Sequence, residues 1–153
     1  IGEAIVKRKL IKEGWLVKNA NETHRNCPNY DLEINKGNKT VRIQVKAKKH
    51  KEKASICGSW SLDETTFNKS SKFDKADYLV MVRFMDEENE CFVIPIDKAE
   101  ELTDWFANET LKLGLKTIHL QPFVSRRTRP RTIYKFNTRE PWEPYSEAWH
   151  LLE

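Results

Sequence analysis

Three polar side chains in this sequence, Asp31, Gln44 and Lys46, stand where metal-assisted hydrolysis would need them. They belong to two alternating segments, Tyr30-Asp31-Leu32-Glu33-Ile34 and Val41-Arg42-Ile43-Gln44-Val45-Lys46-Ala47-Lys48. Alternation of apolar and polar residues is the pattern of half-buried strands. The polar stretch between them, Asn35-Lys36-Gly37-Asn38-Lys39, has the composition of a hairpin connection. Once paired, Tyr30, Leu32 and Ile34 face one side with Val41, Ile43, Val45 and Ala47. Asp31 shares the other side with Gln44 and Lys46, so a carboxylate, an amide and an amine converge.

Hydrolysis of a phosphodiester needs charge stabilisation on the phosphate and a nucleophile made from water, and a bound Mg²⁺ supplies both. Magnesium prefers oxygen ligands and usually takes only one or two carboxylates. Asp31 is the anionic ligand expected here, the Gln44 side-chain oxygen a neutral one, and the backbone carbonyl of Val45 a third. Lys46 would contact the scissile phosphate and the attacking water. A free lysine, with a pKa near about 10.4, is a poor base at neutral pH. It would orient and stabilise hydroxide as a cation, or need a lowered pKa to take the proton. The bland alternative is a solvated hairpin face on which Asp31 and Lys46 form an ordinary cross-strand ion pair.

The elements around the hairpin must hold it. Residues 1 to about 13 read as a helix with Ile1, Ala4, Ile5 and Ile11 on one stripe, stopped by Gly14. Glu3 then lies toward the Val6 and Leu10 edge. Trp15-Leu16-Val17 begins a strand, and residues 19 to 29, with Pro28, read as a loop. Tyr78 to Phe84 is a nearly continuous apolar run, as in a buried central strand. An acidic turn follows, then a return strand from Cys91 to Ile96 in which Pro95 marks the end. Asp97 with Glu100 makes a capping box for a helix to about Ala107, with Ala99, Leu102 and Phe106 buried. Thr117 to Leu120 reads as a further short strand. The aromatic tail, with Trp142, Tyr145 and Trp149, is expected to dock on the body as a helix from Glu147 to Leu152, capped by Ser146. Trp15, Trp60 and Trp105 read as core. The expectation is one domain over residues 1–153, of α/β (α+β) class, with a mixed central sheet flanked by helices.

The chain has 153 residues and a net charge of +4. That length suits one domain with a substantial core. The charged fraction of 33% is above the usual share of about a quarter, and its basic part is clustered. Lys46, Lys48, Lys49, Lys51 and Lys53 form one block, and Arg126, Arg127, Arg129 and Arg131 another. Either block alone reads equally well as a solvated loop. Two blocks beside a metal site suit a polyanion. No apolar run approaches the ~20 residues needed to span a bilayer, and the first residues do not read as a signal peptide. The start at Ile1 fits a processed or partial chain, and a cytoplasmic location with no membrane partner is expected. Three dispersed cysteines, Cys27, Cys57 and Cys91, exclude a paired zinc motif and read as free thiols in a reducing compartment. Scattered histidines and unclustered glycines exclude a histidine metal motif and a phosphate-cradling loop.

The same residues resemble the core of the PD-(D/E)XK nuclease superfamily, which has the restriction-endonuclease-like fold. Pro28-Asn29-Tyr30-Asp31 stands where that family has its PD element, and Gln44-Val45-Lys46 where it has (D/E)-x-K. In that fold a preceding helix often donates a glutamate, and Glu3 matches it in position. The chain departs from the usual pattern at Gln44, where a carboxylate is more common. It resembles most the Gln-x-Lys branch associated with group I introns.

The resemblance implies a metal-dependent DNA endonuclease of homing or restriction type, using Mg²⁺ with Mn²⁺ as a substitute. Glu3, Asp31, Gln44 and Lys46 would be its catalytic residues. Asp31, Gln44, Val45 and Glu3 would hold the metal, with Glu33 as a second candidate to restore the missing charge. Lys48, Lys49, Lys51, Lys53, Arg126, Arg127, Arg129 and Arg131 would hold DNA. Cutting both strands symmetrically with one site per chain implies a homodimer or higher homo-oligomer. A Holliday junction resolvase and a catalytically inert DNA-binding module share the pattern, and an interaction domain without affinity for DNA is a remoter reading.

Overall fold

The computed structural model describes residues 1–23, 30–49, 76–84, 89–102 and 140–153. Its elements are α1 (Gly2–Lys12), β1 (Leu16–Asn19), α2 (Ala20–Thr23), β2 (Leu32–Lys36), β3 (Lys39–Lys49), β4 (Tyr78–Phe84) and β5 (Asn89–Pro95). A helix, α3, follows over 96–102. Two 3₁₀ turns, Glu140–Tyr145 and Trp149–Leu152, close the described chain.

The five strands form one sheet in the order β1-β2-β3-β4-β5. All neighbours are antiparallel except β3 and β4, which run parallel. The fold is therefore a mixed sheet with helices packed on it, as the sequence pattern predicts. The β2–β3 hairpin turns at Gly37, whose φ of 58° is the positive value a type II′ turn puts at its first central residue.

Period-two alternation divides the sheet into two faces. One carries Leu32, Ile34, Val41, Ile43, Val45, Val80, Val82, Cys91 and Val93, and packs against Val6, Leu10, Trp15 and Leu152. The other carries Leu79, Met81, Phe92 and Ile94, covered by Ala99 and Trp142. β4 contributes to both cores, which is why its sequence is apolar throughout.

The buried stripe of α1 is Gly2, Val6 and Leu10, not the set centred on Ile1 and Ile11. Those two are 85% and 54% exposed. The reason is close approach: a Cβ built on Gly2 would lie 2.2 Å from the Ala47 Cβ. The helix settles onto β3 at its one residue without a side chain, and the four-residue spacing then points Val6 and Leu10 inward. Gly2→Ala is expected to destabilise the protein by about 1–3 kcal/mol through overpacking. Denaturant melts of the variant check this.

Two further expectations are corrected. Asp97 lies inside α3 rather than capping it, since the helix already includes residue 96. The tail is not an α-helix from Glu147. It is a pair of 3₁₀ turns joined through Glu147, whose φ is 50°, with Pro144 inside the first. Ser146 does not cap a helix; it bridges Phe92 at the β5 edge and donates its hydroxyl to Glu90. The Glu147 backbone N–H donates to Cys91 C=O at 2.7 Å, and its carboxylate accepts the Cys91 N–H at 2.8 Å. The same carboxylate takes Trp149 Nε1 at 2.9 Å and pairs with Lys9 of α1. The tail thus covers the β5 edge, with Trp142 on one face and Leu152 on the other. Cys91 is a free thiol there, and burial pushes its pKa up to about 12, so it is inert. Trp15 and Trp142 are core, as expected; Trp60, Trp105, Phe106, His24, Cys27, Cys57 and the segment Thr117 to Leu120 lie outside the described residues.

Candidate active site

β2 begins only at Leu32 while its partner β3 continues to Lys49, and Asp31 stands just before the shorter strand. Its backbone is held on both sides. The N–H donates to Ile43 C=O at 2.8 Å, and the C=O accepts Ala20 N–H at 2.8 Å. The side chain turns onto the uncovered length of β3. Oδ2 accepts the Val45 N–H at 2.7 Å and Gln44 Nε2 at 2.6 Å. Oδ1 of Asp31 and Oε1 of Gln44 carry no hydrogen bond among the described residues.

Lys46 follows Gln44 on the same face of β3 and is half-buried. Glu3 is exposed in the first turn of α1, above the point where Gly2 meets Ala47 and Val45. Both act on Asp31 through their fields. Burial is the largest influence and raises the Asp31 carboxyl above its ordinary value. The Val45 N–H opposes that, the Glu3 charge adds to the rise, and Lys46 lowers it. Three segments therefore come together at one sheet end: Glu3 from the helix, Asp31 just before β2, and Gln44, Val45 and Lys46 from β3. The direct partners of Asp31 are Gln44 and Val45, so the simple Asp31–Lys46 ion pair is not what forms.

Glu33 does not join the group. It faces Arg42 across the hairpin at 3.8 Å. Tyr30 also leaves the expected apolar set and is buried with Ala20 and Ala76, with the Arg42 guanidinium 5.5 Å from its ring. Arg42 is in turn fixed by Asp77, whose carboxylate accepts the Arg42 N–H and whose N–H donates to the Arg42 carbonyl. Arg42 and Asp77 are supports that the sequence reading missed. The available signal was the place of Arg42, two residues before Gln44 on the same face.

Lys48 and Lys49 are exposed at the far end of β3; Lys48 continues the line of Lys46, and Lys49 projects from the opposite face. Lys51, Lys53, Arg126, Arg127, Arg129 and Arg131 lie outside the described residues. No helix among the described residues is long and apolar enough to cross a membrane.

The donors at this sheet end suit a hard cation. They are the Asp31 carboxylate, the Gln44 amide oxygen and the Val45 carbonyl, which shares a side with the Val45 N–H because a strand residue presents both groups to one neighbour. Oxygen ligands with one carboxylate fit Mg²⁺. Among the described residues no group of three His, Cys, Asp or Glu is placed to hold a metal, so the amide and the carbonyl are needed to complete such a set.

No curated protein matches the chain. A solved structure titled as a bacterial homing endonuclease, I-Ssp6803I, superposes with a TM-score of 0.49 and 21% identity, over 99% of this chain and 85% of that one. The family profile described as PD-(D/E)XK endonuclease matches residues 1–132. That span includes Glu3, Asp31, Gln44 and Lys46 and most of the chain, which therefore belongs to the PD-(D/E)XK endonuclease family.

Proposed function

We propose that this chain is a Mg²⁺-dependent DNA endonuclease, with Mn²⁺ as an effective substitute, whose centre is Glu3, Asp31, Gln44, Val45 and Lys46. The observation that carries the reading is the closure of Asp31 Oδ2 by Gln44 and Val45. It joins the two halves of the family's motif at one point at the end of the sheet. A divalent cation bound there would neutralise phosphate charge and supply an activated water. Asp31 contributes the anionic oxygen, Gln44 and Val45 neutral ones. Glu3 adds a negative charge that compensates for the missing carboxylate at position 44. Lys46 holds the attacking water or the scissile phosphate as a cation. Lys48 extends the positive line of Lys46 along which the phosphate backbone would run, with Lys49 beside it at the strand end, and the lysines and arginines further along the sequence would continue it. Cutting both strands would bring two or more copies of the chain together.

Cleavage of plasmid DNA with Mg²⁺, and its loss in EDTA, tests the reading. Lys46→Ala is expected to slow cutting by about 10²–10⁴-fold, the range for a positioned proton-transfer or water-orienting group, with DNA binding retained. Wild-type rates in that variant would remove Lys46 from the centre. DNA binding without cutting in either metal would favour the inert module. Preference for four-way junctions would indicate a resolvase, and a preferred duplex sequence a homing or restriction enzyme.

A further inference from the structure

We propose that the Gln44 amide is a removable stand-in for the metal: its NH₂ group holds Asp31 when no cation is bound, and the amide turns over to present its oxygen when one arrives. This rests on reading Asp31 as a metal-binding carboxylate. It goes further by giving position 44 a task in the metal-free protein, and by giving a reason for an amide there.

The geometry is specific. Asp31 Oδ2 receives two donors, Gln44 Nε2 at 2.6 Å and the Val45 N–H at 2.7 Å. An anionic carboxylate accepts hydrogen bonds, so the amide must show it nitrogen rather than oxygen. A metal ligand must do the opposite, because Mg²⁺ binds the amide through oxygen. Both demands fall on one side chain, and a half-turn about its last torsion satisfies them in succession. That torsion joins sp³ and sp² carbons and is broad, and the two ends of the amide are nearly equal in size. Oε1 accepts no hydrogen bond among the described residues, so the turn breaks only the bond to Asp31.

A carboxylate at the same place behaves differently. In the metal-free protein it would set two anionic oxygens about as close as the present 2.6 Å contact, beside the Glu3 charge and in a partly desolvated spot. Like charges so placed must separate or share a proton. Glutamine avoids that conflict, so the sheet end stays closed with or without metal. Glutamate would bind the cation with more charge and leave the metal-free fold strained.

Thermal unfolding of the full chain at neutral pH, wild type against Gln44→Glu, in EDTA and in excess Mg²⁺ without DNA, tests this. In EDTA the variant is expected to melt lower by about 4 °C or more, and Mg²⁺ should raise its melting temperature more than that of the wild type. Equal melting in EDTA, with a Mg²⁺ shift in both proteins, overturns the stand-in role and leaves the metal site intact. No Mg²⁺ shift in either protein overturns the metal reading and the stand-in role with it. A second readout needs no variant to fold: the Gln44 side-chain NH₂ resonances of the wild type should move on adding Mg²⁺. Unmoved resonances, where Mg²⁺ raises the melting temperature, overturn the turnover of the amide.

Discussion

Asp31→Asn is expected to lower DNA cleavage by about a thousandfold or more while the protein folds and binds DNA. The substitution is nearly isosteric, and Asn can still accept the Val45 N–H. What it removes is the one carboxylate hydrogen-bonded to both Gln44 and Val45. Losing a group that stabilises charge in the transition state commonly costs on the order of 10²–10³ in rate, and losing the proposed anionic ligand would remove the cation's stabilisation as well. The same variant has an unusual stability signature. Burial raises the Asp31 carboxyl above its ordinary value. A carboxyl with a higher pKa folded than unfolded prefers the protonated form in the fold. Its ionised form therefore costs stability, fully above the folded pKa and not at all below the unfolded one. In EDTA at neutral pH the Asn variant is expected to be at least as stable as the wild type, and that advantage should fade in acid. Denaturant melts across pH check the sign. A variant that loses cleavage only because it unfolds would contradict the assignment.

Trp142→Ala is expected to give the largest loss of stability, about 3–5 kcal/mol, with cleavage retained well below the melting temperature. Trp142 is fully buried. It meets Phe92 edge-on, with ring centroids 5.5 Å apart at 75°, and fills the core formed by Leu79, Met81, Ile94 and Ala99. It also anchors the tail whose Glu147 occupies the β5 edge. Truncation leaves a cavity and loosens that cover; Gln44 and Lys46 lie beside Leu79 and Met81 of this core, but Asp31 stands on the far side of β3 and keeps its own hydrogen bonds to Gln44 and Val45. Urea melts and cleavage assays on one preparation separate the two effects. A loss below about 1 kcal/mol would mean the tail is not the clamp described.

The parts of the fold that follow from side-chain period were legible in the sequence. Alternation in β2 and β3 marked the hairpin and the shared face of Gln44 and Lys46, because a period of two fixes the face of every side chain once one is placed. The apolar run of β4 announced a strand buried on both faces. What escaped was set by contacts between distant segments. The stripe of α1 depends on how closely Gly2 can approach Ala47, which hydrophobicity does not encode. Tyr30 left its expected face because Asp31 donates its N–H to Ile43 and the chain there departs from simple alternation. The tail reads as a helix by composition, but Glu147 gives both backbone and side chain to Cys91, and that pairing requires a left-handed residue where a helix would continue. At the site, Asp31, Gln44 and Lys46 were visible as types in phase. The Arg42–Asp77 support was not, since nothing local ties residue 42 to residue 77.

Direct binding of Mn²⁺ tests the central claim, that the Asp31–Gln44–Val45 end of the sheet is a metal centre. Titration of the DNA-free protein, followed by the loss of the free-ion electron paramagnetic resonance signal, should show one Mn²⁺ taken up per chain at this site by the wild type, displaced by Mg²⁺ and absent in Asp31→Asn. Equal uptake by the wild type and the folded Asp31→Asn variant would contradict it.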